Sequence, residues 1–533
     1  MDQFDYVIIG AGSAGCVLAA RLSEDGRNSV CVLEAGPKDW HPMIHLPVGW
    51  MKLMGNARLN WMYEAEPSEW TGGRRIAVPR GKTLGGSSAI NGNIFNRGAP
   101  SDFDHWAQRG NPGWGQADLL PLFKRMEDWQ GKDTEDLRGK GGPLPVTQGN
   151  WTHPLCEAFL ASAESLGIPR NPDYNGARQF GAAYSQRTIY KGRRQSAARA
   201  FLRPASKRDN LEIRTNAHVT RIVMEGRRAV GVRYRRGGQS TEIRARREVV
   251  LAGGVINSPQ LLQISGIGDP EHLAQLGVEV VQALPGVGAN LRDHFTPRFT
   301  ARVKGVDTFN EKAKGLRFVG EVANWALGKP SILSLPSTAC YAFAKSDPVL
   351  EDSDLQITFM PASYKEGVQS QLDDAPGMTL AAWQQRPESL GYVRARSSDP
   401  FQPPEIQPNY LSAETDRRVL LAGLRLVRRL VQSQAMAAYF DGELYPGDQV
   451  QSDEELMGVI RERGTTTFHM MGTCRMGPMH DPTSVVDPQL RVHGIEGLRV
   501  ADASIMPTMP AANTNAAALV IGEKASDLIR EEI

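Results

Sequence analysis

Cysteine is scarce in this chain. There are five in 533 residues (Cys16, Cys31, Cys156, Cys340 and Cys474), scattered and without a CxxC pair. So sparse and odd a set excludes a disulfide framework and fits reduced thiols in a cytoplasm. An excess of charge is also missing, since Lys+Arg 61 against Asp+Glu 59 leaves a net +2. That balance argues against a nucleic-acid partner, which would need a strongly basic face. The local runs Arg233-Tyr234-Arg235-Arg236 and Arg244 to Arg247 lie beside strand-like segments and read as solvated faces. No apolar run approaches the roughly 20 residues that span a bilayer. The acidic opening Met1-Asp2-Gln3-Phe4-Asp5 runs straight into a strand and carries no secretory signal. A cytoplasmic protein without a transmembrane segment is expected, with peripheral contact at the inner membrane left open. Internal repeats and low-complexity tracts are absent as well.

What the chain does have is enough apolar residue, 41%, to bury more than one core. Tyr6-Val7-Ile8-Ile9 is a short strand-forming run followed by glycines, Ala14 to Leu22 reads as a helix, and Val30 to Leu33 as a second buried strand. Strand, glycine turn, helix and strand make one βαβ unit. Gly72 to Gly98 is glycine-rich and reads as an extended functional loop. Leu211 to Arg235 and Thr241 to Leu251 alternate as antiparallel strands do. Val249 to Ala252 ends in Gly253-Gly254, with a helix expected after Pro259. Ala413 to Gln434 has the pattern of an amphipathic helix, Leu498 to Asp502 of a strand, and Thr514 to Ile529 of a helix that Asn513 can cap.

Gly10-Ala11-Gly12-Ser13-Ala14-Gly15 fits GxGxxG. The first glycine permits a tight turn, the second lets backbone approach a pyrophosphate, and the third lets helix and strand pack closely. Free N–H groups at the helix start favour the phosphates. Alone the pattern is weak, and a packing turn would explain it. Here Glu34 also closes the second strand, where a carboxylate accepts ribose hydroxyls and repels a 2′-phosphate. The Val249–Gly254 module and the strand ending in Asp502 offer places for the rest of a long dinucleotide, and FAD is long enough to need them.

Two longer segments carry a family resemblance. Gly81-Lys82-Thr83-Leu84-Gly85-Gly86-Ser87-Ser88-Ala89-Ile90-Asn91, continuing through Phe95, Arg97-Gly98 and Asp104, resembles the first signature of the glucose-methanol-choline (GMC) oxidoreductases. Ser258-Pro259-Gln260-Leu261-Leu262-Gln263-Ile264-Ser265-Gly266-Ile267-Gly268 resembles the second. With Gly472-Thr473-Cys474-Arg475-Met476-Gly477, the likeness runs in order over nearly the whole chain, and is strongest to bacterial FAD-dependent alcohol and choline dehydrogenase-like members.

The resemblance implies an α/β protein, α+β overall. It joins a Rossmann-type FAD-binding domain (1–155, 205–300 and 465–533) to a substrate domain (156–204 and 301–464) built on a mostly antiparallel sheet with helices. It implies cofactor contacts at Gly10, Gly12, Ser13, Ala14, Gly15, Glu34, Ala35, Gly81, Gly86, Ser87, Ser88, Asn91, Gly92, Asn93 and Ile94. Further contacts are implied at Val219, Ala252, Gly253, Asp502, Ala503, Thr514 and Asn515. Covalently flavinylated members carry a His directly after the paired serines; Ala89 stands there, so non-covalent FAD is expected and no metal.

An alcohol gives up hydride poorly while its hydroxyl stays protonated, so the site needs a base and a donor for the developing alkoxide. His469 matches the family's base position, and Asn513 its second position, which is His or Asn across the family. An amide there donates a hydrogen bond but takes no proton. The other histidines, His218, His272, His294 and His493 among them, read as ordinary hydrogen-bonded core residues. The expected reaction is oxidation of a small primary alcohol to an aldehyde by proton abstraction and hydride transfer to flavin N5, with dioxygen or a quinone as final acceptor. A non-redox flavin lyase of the hydroxynitrile-lyase kind, a light-driven decarboxylase and a non-catalytic flavoprotein are the alternatives. Met470, where many relatives have Pro, and Val255 depart from the pattern, while Asn93 and Asn96 favour a polar substrate.

Overall fold

A computed structural model describes residues 2–133, 135–149, 151–365 and 371–532. Tyr6 to Ile9 and Val30 to Glu34 are buried on both faces, as strands at the centre of a parallel sheet must be. They belong to a seven-stranded sheet with the order Leu211–Thr215, Val30–Glu34, Gln3–Ile9, Gln239–Leu251, Arg228–Arg236, His218–Glu225, and Leu498–Val500 also paired to Gln239–Leu251. The long strand Gln239–Leu251 serves two neighbours. Its first half pairs antiparallel with Arg228–Arg236, and its second half runs parallel to Gln3–Ile9 and Leu498–Val500.

This corrects one sequence expectation. Leu211–Thr215 does not join the antiparallel meander but lies parallel to Val30–Glu34, and only from His218 onward is the pairing antiparallel. The turn between them, with Asn216 at φ 54°, lets Ala217 N–H donate to Glu34 O and redirects the chain. The helix expected after Pro259 begins earlier, at Gly254, and ends at Ile264 with the proline inside it. Proline donates no N–H to the carbonyl four residues back, and the Thr473 hydroxyl fills the vacancy, donating to Val255 O at 2.6 Å. Within Gly72 to Gly98, the strand Ile76–Val78 pairs with Tyr63–Ala65, so that segment is only partly loop. The C-terminal helix runs Asn515–Glu531 with Thr514 at its N-cap and no side-chain cap, so Asn513 is left free for another use.

A second, six-stranded sheet is antiparallel throughout, in the order Phe440–Tyr445, Arg298–Val303, Gly377–Gln384, Leu355–Met360, Cys340–Ala344, Gly181–Tyr184. The strand Arg298–Val303 straddles residue 300, where the two domains were expected to meet, and its pairing places it with this sheet. One face packs on the helices Pro154–Ser165 and Glu414–Val431. The latter buries Val419, Leu420, Gly423, Leu424, Val427 and Leu430, a stripe at helical spacing. Among the described residues, no helix is long and apolar enough to cross a membrane, and no cluster of His, Cys, Asp or Glu could hold a metal ion.

Candidate active site

A cavity of about 420 Å³ runs from the first glycine turn to the uncovered face of the second sheet. At its first end the backbone is packed so closely that side chains would not fit. A Cβ on Gly10 (φ 96°) would lie 2.5 Å from Ala252 O, one on Gly86 2.7 Å from Gly12 Cα, and one on Gly81 2.1 Å from Gly86 O. Gly12 is different: the nearest atom to a Cβ there is 3.8 Å away, so its hydrogen leaves open a cradle against the cavity. Gly12 caps the helix Ser13–Leu22 with no side-chain hydrogen bond, leaving the first amides free for an anion. Ser13 Oγ donates to Asn515 Oδ1 at 2.7 Å, which brings the start of the C-terminal helix to the same wall.

Two buried carboxylates hold this end in shape. Glu34 accepts from Ala11 N–H (2.9 Å) and Gly36 N–H (2.8 Å). Burial pushes its carboxyl up to about 7 against those hydrogen bonds. Asp502 accepts from Gly254 N–H, the Ser258 hydroxyl and Ser504 N–H at 2.6–2.8 Å, which locks the second glycine module to the last strand. Free helix amides, an open glycine cradle and a carboxylate at the strand end fit a pyrophosphate and a ribose, and so fit FAD.

The expected contacts Gly10, Gly12, Ser13, Ala14, Glu34, Ala35, Gly81, Gly86, Ser87, Asn91, Gly92, Ile94, Val219, Ala252, Gly253, Asp502, Ala503, Thr514 and Asn515 all line the cavity. Gly15, Ser88 and Asn93 stand behind the lining. Gly15 backs onto Gly10 O, Ser88 Oγ donates to Gly85 O at 2.6 Å, and Asn93 Nδ2 donates to Pro47 O at 3.3 Å. Asn96, too, is buried behind it, donating to Ala511 O, so the two amides expected to signal a polar substrate do not line the cavity. Arg194, which the sequence reading passed over, is buried and holds Asn91 by its backbone oxygen (2.6 Å) and its Oδ1 (2.7 Å).

At the other end His469 Nε2 and Asn513 Nδ2 lie 2.9 Å apart. The orientation of the amide follows from its other atom, since Asn513 Oδ1 receives donors from Tyr341 Oη and Gln356 Nε2, both at 3.4 Å. Its NH2 therefore faces His469 and donates to an unprotonated Nε2. The far side of the ring agrees. His294 Nε2 lies 2.7 Å from Gln385 O, an acceptor only, so that nitrogen carries the proton and His294 Nδ1 is a bare acceptor. It faces His469 Nδ1 at 3.0 Å, and two lone pairs would repel there, so the His469 proton sits on Nδ1. Thr467 Oγ1, 2.7 Å from the same nitrogen, shares it. Burial keeps both rings neutral: it lowers His294 to about 4, and His469 well below the ordinary histidine range, where His294 and Arg80 lower it further.

The backbone beneath His469 is equally fixed. His469 N–H donates to Asp293 Oδ1 at 2.8 Å, and Asp293 Oδ2 takes hydrogen bonds from Tyr410 Oη (2.6 Å) and Thr466 Oγ1. Phe468, just before the base, is held at φ 70°, a left-handed conformation that costs a bulky residue energy and is retained where a side chain must be aimed. Trp383 Nε1–H is buried in the lining with no protein partner. His294, read from sequence as an ordinary core histidine, is a buried, hydrogen-bonded one, but its partner is the candidate base. Its neighbour Asp293 binds the same residue's backbone. The adjacent pair Asp293-His294 was the available signal.

Fold and site together define a dinucleotide-dependent oxidoreductase, with one cavity running from the glycine turns of the first sheet to His469, Asn513 and the second sheet. The chain belongs to the GMC oxidoreductase family, whose models match residues 4–296 and 387–522. It is 42% identical over 528 residues to a protein named oxygen-dependent choline dehydrogenase from Rhizobium etli, covering 99% of this chain and 95% of that one. A protein of the same name from Staphylococcus xylosus is 40% identical over 537 residues, with 99% and 95% covered. Among solved structures, it is similar to pyridoxine 4-oxidase from Mesorbium loti (TM-score 0.90, 32% identity, 99% of each chain). It is also similar to a fungal aryl-alcohol oxidase (TM-score 0.90, 25% identity, 100% and 99% covered).

Proposed function

We propose that the protein oxidises a primary alcohol to its aldehyde, with His469 as base, Asn513 as hydrogen-bond donor and FAD held without a covalent bond. As a GMC oxidoreductase it is an FAD-dependent enzyme acting on CH–OH groups. The dehydrogenases and oxidases among its relatives leave no support for a lyase. The FAD-holding segments are 1–155, 205–297 and 465–533; the remainder, which includes the strand Arg298–Val303, presents the alcohol.

The observation that carries this reading is the 2.9 Å contact between His469 Nε2 and Asn513 Nδ2, supported by the partners on the far side of the ring. A substrate hydroxyl that takes the place of the amide at Nε2 donates its proton to that lone pair and receives the amide N–H as negative charge develops on oxygen. The protonated ring keeps its Nδ1–H on His294 and Thr467, so it need not turn. FAD, when bound, supplies the two-electron acceptor for the hydrogen on the same carbon. Thr514 and Asn515 bring the partial positive charge of a helix start to that wall. Dioxygen and a quinone are the candidate final acceptors.

Anaerobic addition of primary alcohols to the yellow holoenzyme should bleach the flavin's visible absorbance, and later admission of air reads whether dioxygen restores it. His469→Ala should lower kcat by about 10²–10⁴ with the oxidised flavin spectrum intact. A near-normal rate in that variant would assign the base elsewhere.

A further inference from the structure

We infer that the alcohol carries a negatively charged group, a carboxylate or a phosphate, held by Arg298 on the cavity-lining face of the second sheet. The inference rests on the alcohol-oxidising reading above and adds the charge of the substrate. Strand register puts Tyr341 beside Thr358, Thr358 beside Ala381 and Ala381 beside Arg298, and all four side chains line the cavity. They form one row across four strands, about 14 Å from end to end at a strand spacing of about 4.8 Å. Tyr341 closes one end of the row, its hydroxyl on Asn513 Oδ1. Arg298 closes the other. Between them stand only a threonine and an alanine, so the row is a trough with the catalytic amide at one end and a cation at the other.

That cation has nothing to neutralise it. Among the described residues the Arg298 side chain has neither a hydrogen-bond nor an ion-pair partner; its neighbour is the Tyr364 ring, 5.9 Å away, which also lines the cavity. A guanidinium cannot shed its proton, and burying it without a counter-charge is costly. Burial pushes Arg298 below the usual arginine range, with no carboxylate opposing the shift. Among the described residues, Asp373 is engaged by Arg302, and Asp374 by Lys314 and Lys365. Only two carboxylates are in the described lining, Glu34 and Asp502, and both are tied to backbone amides at the glycine turns. Among the described residues, the substrate end of the cavity thus presents a cation and no anion. An anionic group two strand spacings from Thr358 would complete it, while a quaternary ammonium alcohol such as choline would meet Arg298 with no carboxylate to hold it.

The test compares matched alcohols on the holoenzyme by anaerobic flavin reduction: ω-hydroxycarboxylates and ω-hydroxyalkyl phosphates of increasing length, the plain n-alcohols of the same lengths, and choline. At the best-fitting length the anionic alcohol should exceed its plain counterpart in kcat/KM by about ten-fold or more, with choline poorest. The carboxylate and phosphate series tell which anion is preferred. Arg298→Gln should lower kcat/KM for the anionic alcohol by about 10²-fold, mainly through KM, as loss of a buried charge partner does. Arg298→Lys, which keeps the charge without the fork, should retain part of the preference. An unchanged anionic-to-plain ratio in a folded, yellow Arg298→Gln enzyme would overturn the inference, as would preference for choline or plain alcohols in the parent. Failure of every alcohol to bleach the flavin would instead overturn the alcohol-oxidising reading, and this inference with it.

Discussion

A histidine can offer either ring nitrogen to a substrate, and here the choice for His469 is made on the side of the ring away from Asn513. His294 donates to a backbone carbonyl and so can only accept from its neighbour, which leaves the His469 Nε2 lone pair on the substrate side. His294 is therefore a positioning residue. Replacing it with Ala should lower kcat by about 10-fold or more, because the wrong tautomer becomes available. It should also remove one influence that lowers His469. In the parent enzyme kcat/KM should stay level through neutrality and fall only in acid, below the ordinary histidine range near 6.5. In His294→Ala that acid limb should move to higher pH. A rate loss with the limb unmoved would mean His294 matters only for packing. Of these residues, His469 and Asn513 were legible in their motifs. His294 and Arg298 were not, because each matters through a partner that only strand register brings near.

Among the elements, the helix Gly254–Ile264 shows a local rule broken and compensated. Pro259 inside it leaves Val255 O without its helical donor, and Thr473, from the segment just after His469, supplies one. Thr473→Val should cost about 1–3 kcal/mol in chemical denaturation, the penalty of an unsatisfied buried acceptor. Pro259→Ala restores an N–H at the right place, so the double variant should lose less than Thr473→Val alone. Equal losses would show that the hydroxyl does not serve that carbonyl. The opening βαβ unit was readable because its strands are apolar throughout and its turn needs glycine, both local requirements. The parallel placement of Leu211–Thr215 was not, since its alternating residues look the same in either direction.

For the whole molecule, burial of histidine sets the response to acid. His45, His105, His153, His218, His272, His294 and His469 are all lowered by burial, His218 and His294 to about 4. A group depressed in the folded state stabilises above its unfolded value, and that stability is lost as pH falls through the folded one. Glu34, raised to about 7, and Asp293, also raised, act oppositely, stabilising most in acid. Seven depressed histidines outnumber two raised carboxylates. The denaturant midpoint should therefore drop steadily as pH is lowered from about 6.5 to about 4.5. A level or rising midpoint over that range would contradict the burial assigned to these rings.

The sequence by itself determined the glycine turn, the strand-ending Glu34, the βαβ unit, and the motifs that carry His469 and Asn513. Each depends on residue type and short-range spacing, which a chain carries wherever it goes. Only the tertiary structure decided which nitrogen of His469 is bare, that Gly15, Ser88 and Asn93 stand behind the cavity rather than in it, and that Arg298 faces the amide along one sheet row. Those depend on hydrogen bonds and registers between segments far apart in the chain, and no local pattern encodes them.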